Sequence, residues 1–232
     1  MSMISYDPRT IGLVSELIHP PMQVDGVKAQ ALHNALYQDA ELRYANFQLG
    51  PQGITMTNPV ERPGQSSTLE LLTDRIRIVE EHGPALVEDF GRKVVKLAGL
   101  FMDAMGVPVF MAQQHTLRML VNPRSRTDSR DFLAGRVCRI EAGDFEGFGR
   151  PISLIGLKLV FPAQDAGQAI HALRIESWAS DPRSVFLEDV ATWPQPLQRN
   201  ELERLGESIR RAREFLVERA LGFLAAHEHG EG

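Results

Sequence analysis

The residues with the clearest chemical potential lie along three predicted strands of the C-terminal half. Strand alternation places Arg118, Lys158, Arg174, Glu176 and Trp178 on the face opposite the apolar residues of the same strands. Charged groups and an indole on one surface suit recognition of a protein partner or a polar ligand. An ordinary solvated sheet face with cross-strand ion pairs explains the same pattern, so both interpretations stay open.

A second candidate is the glycine-rich segment 141–151, EAGDFEGFGRP, which carries Phe145 and Phe148. Aromatic side chains on a mobile loop suit ligand binding or a lid over a site. The two rings can equally fold back and close the end of the sheet. The sequence therefore predicts either a binding loop or a structural plug at this point.

Arginines gather in the region from Arg118 to Arg139, which makes nucleic-acid binding a third hypothesis. A nucleic-acid-binding protein usually presents a basic face that releases counterions. The formal net charge of −5 and the acidic residues interleaved with these arginines argue against such a face. We therefore expect that nucleic acid is not the partner.

Sequence motifs for catalysis are absent: there is no GxxxxGK[ST], HExxH or GxSxG pattern. Cys138 stands beside apolar residues, which is more typical of a core cysteine than of a nucleophile. His227 and His229 in the tail do not make a metal site by themselves. His19 and His115 lie on predicted strands and can form a polar pair or serve as structural histidines. We expect no metal and no cofactor, and the balance leans against an enzyme.

The single cysteine cannot form an internal disulfide, which fits a reducing compartment. The N-terminus lacks the basic and apolar segments of a signal peptide, and the apolar runs are too short to span a membrane. These features predict a cytoplasmic protein without a membrane partner.

The first half, residues 1–106, predicts the order β-α-β-β-β-α. Proline, glycine and capping signals separate its elements. The predicted elements are a strand at 10–19, a helix from Asp25 to about Gln38, strands at 43–49, 54–57 and 68–80, and a helix from Pro84 to Gly106.

The second half, residues 107–232, predicts the same order with an inserted loop at 141–151. It begins with a strand at 107–123 and a short helix capped by Asp128 or Ser129. Strands at 152–161, 169–180 and 184–193 follow, and Asn200 with Glu203 forms a capping box for a long last helix.

The two halves share features at constant spacing. Pro20 and Pro123 are separated by 103 residues, whereas Gly91 and Gly206 are separated by 115. The loop 141–151 is about long enough to supply the difference. The pattern predicts an internal duplication, and the alternative is an α+β domain in which similar elements follow each other without one.

Two βαβββα repeats predict one continuous α+β domain, with an antiparallel curved sheet and helices packed on one face. This order resembles the TBP-like and helix-grip architectures in topology. The resemblance implies a fold and no particular ligand.

The leading functional hypothesis is a non-enzymatic binding or assembly protein that uses the open charged sheet face, with a homodimer as its expected oligomeric state. The alternative is a small-ligand binder or enzyme with a pocket between sheet and helices, using polar residues such as His115, Arg118 and Glu176. A pocket with converging ionisable groups favours the alternative, and a flat face favours the first hypothesis.

Overall fold

Nine strands form one large antiparallel sheet in the computed structural model, which describes residues 6–83 and 86–228. The predictions that involve Pro84 and His229 fall outside the described residues. The strands of the large sheet are β1 (Arg9–Ile18), β2 (Asn46–Gly50), β3 (Gly53–Thr57), β4 (Ser66–Leu72), β5 (Arg75–Glu81), β7 (Ala112–Val121), β8 (Gly156–Phe161), β9 (Ile170–Ser177) and β10 (Val185–Trp193). The strands β6 (Val109–Phe110) and β11 (Leu197–Gln198) pair separately.

The strand order is β2-β3-β4-β5-β1-β7-β10-β9-β8. The strands β1 and β7 therefore meet antiparallel at the centre, where Leu13 lies opposite Leu117 and Ser15 opposite His115. The register shifts between Thr10 and Gly12, so β1 carries a bulge near its start. The edges of the sheet are β2 in the first half and β8 in the second.

The helices are α1 (Gly26–Gln38), α2 (Val87–Met105), α3 (Ser129–Asp131), α4 (Glu203–Glu214) and α5 (Leu221–Glu228). Apolar side chains recur along one side of α2, and ten of its residues are buried against the sheet and α4. Gly106 ends α2 in the left-handed region at φ 73°, and its N–H donates to the carbonyl of Met102. The predicted glycine stop is thus confirmed.

The N-cap predictions are also confirmed for two helices. The Asp25 side chain accepts from the backbone N–H groups of Val27 and Lys28, at 2.8 and 3.2 Å. The Asp128 side chain accepts from the N–H of Arg130 at 2.8 Å. In the last helical region the capping box lies two residues earlier than predicted, on Gln198 and Glu201.

Within the described part of the second half, two segments are π-helical. The chain continues from α3 into a π-helix at Phe132–Cys138, and from α4 into a π-helix at Phe215–Ala220 that leads into α5. Single π-helical turns are uncommon and are often found at functional sites. The wider turn redirects the side chains that follow it.

Three predicted elements differ from the structure. The predicted strand 68–80 is two strands, β4 and β5, joined at Thr73 and Asp74. Its sequence lacks the glycine or proline that usually marks a turn, so the alternation looks continuous. The strand 107–123 is interrupted at Met111 between β6 and β7. The segment 141–151 is not an irregular loop, because Ala142–Phe148 forms a 3-10 helix.

One core holds the sheet and helices together, and it is built from one face of the strands and the apolar sides of the helices. A small separate cluster on the opposite face comprises Ile11, Leu120 and Phe186, with Trp178 packed against it. Burial of this apolar surface is the main stabilising contribution.

The end of α5 is fastened to the loop after β7. The Glu228 carboxylate accepts from the N–H groups of Arg124 and Ser125, both at 2.8 Å. It also accepts from the Tyr6 hydroxyl at 2.7 Å, although only 6% of Glu228 is exposed. This carboxylate therefore joins both ends of the described chain to the centre.

Among the described residues, no helix combines the length and apolar character that crossing a membrane requires.

Candidate functional site

The predicted charged residues of the second half lie on the sheet face opposite the main core. Arg118 on β7, Lys158 on β8, and Arg174 and Glu176 on β9 are exposed or half-buried there, and Trp178 follows β9. Lys158 is the cross-strand neighbour of Arg174. The five side chains thus lie on the face of the sheet that strand alternation predicted, opposite the main core.

The charges on this open face are arranged as a ladder of ion pairs. The Arg118 guanidinium lies 2.7 Å from Glu188 and 3.2 Å from Glu81. Arg174 lies 3.4 Å from Glu188 and 3.6 Å from Glu176. Arg118 and Arg174 therefore each have two counter-charges within the protein, as charged residues on a solvated sheet face commonly do.

The aromatic group of the open face is also packed. The Trp178 ring stacks on Phe186 at 5.1 Å between centroids, and the Arg174 guanidinium lies 5.0 Å from the centre of the Phe186 ring. A cation above an aromatic ring adds a modest attraction at a partly exposed position.

The two aromatic side chains of segment 141–151 differ in exposure. Phe148 is 77% exposed, whereas Phe145 is half-buried. Phe145 lines a cavity of about 810 Å³ together with Arg126, Arg130 and Arg150. Phe145 therefore belongs to a cavity whose lining includes none of the five residues of the charged face, whereas Phe148 is exposed to solvent.

The other sequence candidates lie apart from one another. His115 is fully buried opposite Ser15, and burial lowers its pKa to about 3, so the imidazole is neutral at pH 7. His19 lies beyond the end of β1 and faces the Phe101 ring at 5.2 Å, so it does not pair with His115. Burial raises the pKa of the Cys138 thiol, which disfavours the reactive thiolate.

A different site lies between the sheet and the C-terminal helices. A cavity of about 780 Å³ is bounded by β8, β9 and the end of β10 on one side, and by α4, the second π-helix and α5 on the other. Its volume falls within the range of small-molecule sites. Its wall includes Leu159, Phe161, His171, Trp193, Phe215 and Phe223.

The polar centre of this cavity is His171 on β9. Its Nδ1 atom lies 2.8 Å from Oδ2 of Asp189 on the neighbouring strand β10. The imidazole stacks on the Phe215 ring with a centroid distance of 3.8 Å and an interplanar angle of 14°. Trp193 meets the imidazole at 71°, with centroids 6.4 Å apart. A hydrogen bond and two rings therefore hold the imidazole in one orientation.

The strand pattern explains why these side chains meet below the helices. Leu173 and Ile175 place alternate residues of β9 on the core face, and His171 follows in the same phase. Leu187 and Ala191 do the same for Asp189 on β10. In both strands an ionisable group occupies a position that the alternation assigns to an apolar residue.

Asp189 is completely buried, and among the described residues its Oδ1 atom has no hydrogen-bond partner. Burial raises the pKa of Asp189, and the hydrogen bond with His171 offsets only part of that rise. A buried carboxylate with a single partner is costly to maintain. Such perturbed groups beside a cavity occur more often at functional sites than elsewhere.

The geometry also defines what His171 can offer to a ligand. An ionised carboxylate only accepts hydrogen bonds, so Nδ1 carries the hydrogen when Asp189 is ionised. The second ring nitrogen, Nε2, has no partner within residues 6–83 and 86–228, and 15% of the His171 side chain remains exposed. Nε2 can accept a hydrogen bond from a ligand, or donate one after protonation.

Ionisable groups of both signs surround the opening of the cavity. Arg211 and Glu214 on α4, and Glu218 and Arg219 on the π-helix, line it. The two positive and two negative side chains balance, so the rim adds no net charge. His171 is the ionisable group that the sheet contributes to the wall.

Neither His171 nor Asp189 is among the site residues predicted from the sequence. A signal was present, because a histidine and an aspartate interrupt the apolar phase of two strands that are also predicted neighbours. The histidine follows Ile170 at the start of β9, where a strand end and its core face are hard to define from sequence. The contribution of Phe215 depends on a π-helix that the helical periodicity does not reveal.

Within the described residues, no group of three or more histidine, cysteine, aspartate or glutamate side chains is arranged to hold a metal ion. A scan against models of protein families found no match, and neither did a search of curated proteins.

Proposed function

We propose that the protein binds a small molecule in the cavity between β8–β9 and the C-terminal helices, with His171 as its main hydrogen-bonding group. The observation that carries this proposal is that His171 lies at the cavity wall and is hydrogen-bonded to the buried Asp189. A concave, mainly apolar cavity with a few fixed polar groups is the usual form of a small-ligand site.

Binding is a better proposal than covalent catalysis. A carboxylate-oriented histidine is a common general acid–base arrangement, but covalent catalysis also needs a nucleophile. The described residues of the cavity wall include no serine, cysteine or lysine, and its two carboxylates, Glu214 and Glu218, lie at the opening. The apolar wall instead favours a ligand with an aromatic or aliphatic body.

The open charged face stays a second proposal, in which Arg118, Lys158, Arg174, Glu176 and Trp178 bind a protein partner or a second copy of the chain. The ion-pair ladder gives this proposal less support than the cavity gives the first, because a partner would have to compete with existing pairs. Cytoplasmic location and homodimer formation likewise remain predictions.

The two tryptophans provide a direct test, since the sequence contains only Trp178 and Trp193. Trp193 lines the cavity, whereas Trp178 lies on the open face. The Trp178→Phe variant therefore reports on the cavity by fluorescence, and Trp193→Phe reports on the open face.

Both variants would be titrated with a panel of small aromatic and aliphatic compounds. We expect a saturable change in the Trp193 signal and none in the Trp178 signal. A response confined to Trp178 would transfer the site to the open face. Responses in neither variant across the panel would refute the small-ligand proposal.

We further propose that the two halves are structural repeats with a TBP-like or helix-grip-like arrangement. From the central pair outward, β5-β4-β3 on one side and β10-β9-β8 on the other follow the same succession. The predicted equivalents Gly91 and Gly206 face each other, because a Cβ added at Gly91 would lie 3.4 Å from the Gly206 Cα. Equivalent positions meet in this way at a two-fold axis.

The spacing of 103 cannot extend along the central strands. Leu13 and Leu117 lie side by side and are both buried in the main core. Side chains alternate between the two faces of a strand. Equivalent residues of β1 and β7 can therefore share the core face only if their numbers differ by an even number. The proposed repeat requires a one-residue shift between these strands and the proline signals.

A further inference from the structure

We propose that the ligand of the cavity is an organic acid with an apolar body, and that its anionic group accepts a hydrogen bond from Nε2 of a protonated His171. This inference rests on the proposed function, because it names the ligand class for the same cavity. Its evidence is the arrangement of groups around the imidazole.

The two ring nitrogens of His171 differ in their hydrogen bonding. Asp189 holds Nδ1 at 2.8 Å, so Nε2 is the ring nitrogen left for a ligand. A proton added at Nε2 gives an imidazolium that donates to Asp189 on one side and to the ligand on the other. That proton comes from the acid group of the ligand or, when the acid is already ionised, from solvent.

The surroundings of His171 accommodate an imidazolium. The Asp189 carboxylate supplies a buried negative charge, and its side chain is 0% exposed. The Phe215 ring lies against the face of the imidazole at 3.8 Å, and an aromatic face stabilises a neighbouring cation. A bound carboxylate then completes a buried row of alternating charges.

The cavity wall selects the body of the ligand. Leu159, Phe161, Leu173 and Phe223 line the cavity together with Trp193, so most of a ligand would contact apolar side chains. Phe161 and Phe223 remain 41% and 36% exposed without a ligand. Covering them with an aromatic or aliphatic chain would remove apolar surface from water.

All charged groups packed around His171 enter this argument. Asp189 faces it from β10, while Arg211 and Glu214 from α4 and Glu218 and Arg219 from the π-helix surround the opening. Arg211 is hydrogen-bonded to Glu207, and Glu214 to Arg210. The rim is balanced, so discrimination between an acid and its neutral analogue falls to His171.

The test compares aromatic and straight-chain carboxylates with the amides of the same acids. Titration calorimetry is run at pH 8, where a carboxylic acid is ionised in solution, in buffers with different ionisation enthalpies, so that the protons taken up on binding can be counted. We expect the acids to bind at least about tenfold tighter than the amides, which corresponds to about 1.4 kcal/mol. We also expect the binding of each acid molecule to take up between zero and one proton from the solvent on average, and the binding of an amide to take up none.

Two histidine variants locate that proton. His171→Gln should abolish the proton uptake and the preference for acids, whereas His33→Gln, the same change at a half-buried histidine on α1, should leave both unchanged. Thermal melting confirms that each variant is folded. Asp189→Asn is a second variant, for use if His171→Gln is unstable. Its amide oxygen still accepts from Nδ1 of His171, but it lacks the negative charge that stabilises the imidazolium, so proton uptake should fall.

The outcomes separate this inference from the proposed function. Acids and amides that bind equally in the cavity, without proton uptake, would overturn the inference and leave small-ligand binding in place. Proton uptake that survives in His171→Gln would also overturn it. If neither series changes the fluorescence of Trp193, both the inference and the proposed function fail.

Discussion

Replacing His171 with phenylalanine is the perturbation that best tests the buried pair. The new ring can keep the stacking on Phe215, which lies 3.8 Å from the imidazole. The change removes the hydrogen bond to Asp189, a carboxylate that is completely buried. Asp189 is then left without a partner among the described residues, while the packing of the cavity wall changes little.

The size of the effect follows from that burial. Removing the one hydrogen-bond partner of a buried carboxylate costs about 3–5 kcal/mol, because the remaining charge stays desolvated. For a chain of this length such a loss lowers Tm by roughly 6–20 °C. The double variant His171→Phe/Asp189→Leu should recover most of the loss, since it removes the charge as well as its partner.

The pH dependence has a definite sign. Burial raises the pKa of Asp189, so the folded state holds its proton more tightly than the unfolded chain does. Protonation therefore favours folding at low pH, and that contribution is lost as pH rises through the folded-state pKa. The stability deficit of His171→Phe relative to the wild type should shrink between pH 7 and about pH 4.

Urea unfolding followed by circular dichroism, at several pH values, measures these differences. The description of Asp189 as a buried carboxylate that depends on His171 would be refuted if His171→Phe were as stable as the wild type at pH 7. It would also be refuted if the double variant were less stable than the single one. Either result would mean that Asp189 is not held as a buried, partner-dependent carboxylate.

Three further predictions concern groups elsewhere in the fold. Lys93→Met should lower the free energy of unfolding measured in urea by about 3–5 kcal/mol, because it leaves the Glu80 side chain, which is 11% exposed, without its cation. The double variant Lys93→Met/Glu80→Leu should be close to the wild type in stability. A larger loss in the double variant than in the single one would contradict the pairing. Burial raises the pKa of Glu228, but its hydrogen bonds lower it overall, so its contribution to stability is present above about pH 4.3 and is lost as pH falls through the lowered pKa. Glu228→Gln should therefore lose roughly 1.5–3 kcal/mol at pH 7 and show a flatter acid profile in thermal melts, while an unchanged profile would exclude this clamp. Gly91→Leu should lower Tm, because the larger side chain would force α2 and α4 apart. In Gly206→Ala the added Cβ would lie 3.9 Å from its nearest neighbour, so this variant should be tolerated and gain up to about 1 kcal/mol in helix propensity. Equal Tm values for the two variants would argue against a close crossing of the helices at Gly91.

Local patterns predicted much of the fold because local physics governs them. The apolar spacing and the glycine stop of α2, the N-cap at Asp25 and the face of Arg118 all follow from backbone geometry and side-chain periodicity. Predictions failed where the local signal was weak. The turn at Thr73 and Asp74 lacks glycine and proline, and its alternation resembles one long strand.

The candidate site shows the limit more clearly. The sequence predicted a charged face and left cross-strand ion pairs open as one interpretation of it. It did not identify the partners of Arg118 and Arg174, which are Glu81, Glu188 and Glu176. Such pairing depends on which strands become neighbours and in which register. Those choices are made by the whole sheet and not by any one strand.

The sequence alone was enough to predict the α+β character of this protein, the approximate bounds of most helices and strands, and the faces of the strands that carry Arg118, Lys158 and Arg174. The hydrogen bond between His171 and Asp189, which are 18 residues apart in the chain, and the π-helix above it that carries Phe215 become apparent only in the folded protein. The physical reason is that periodicity reports the average environment of a strand face. A pocket with a fixed imidazole arises from the register of two strands and the path of a distant helix, which meet only in the folded chain.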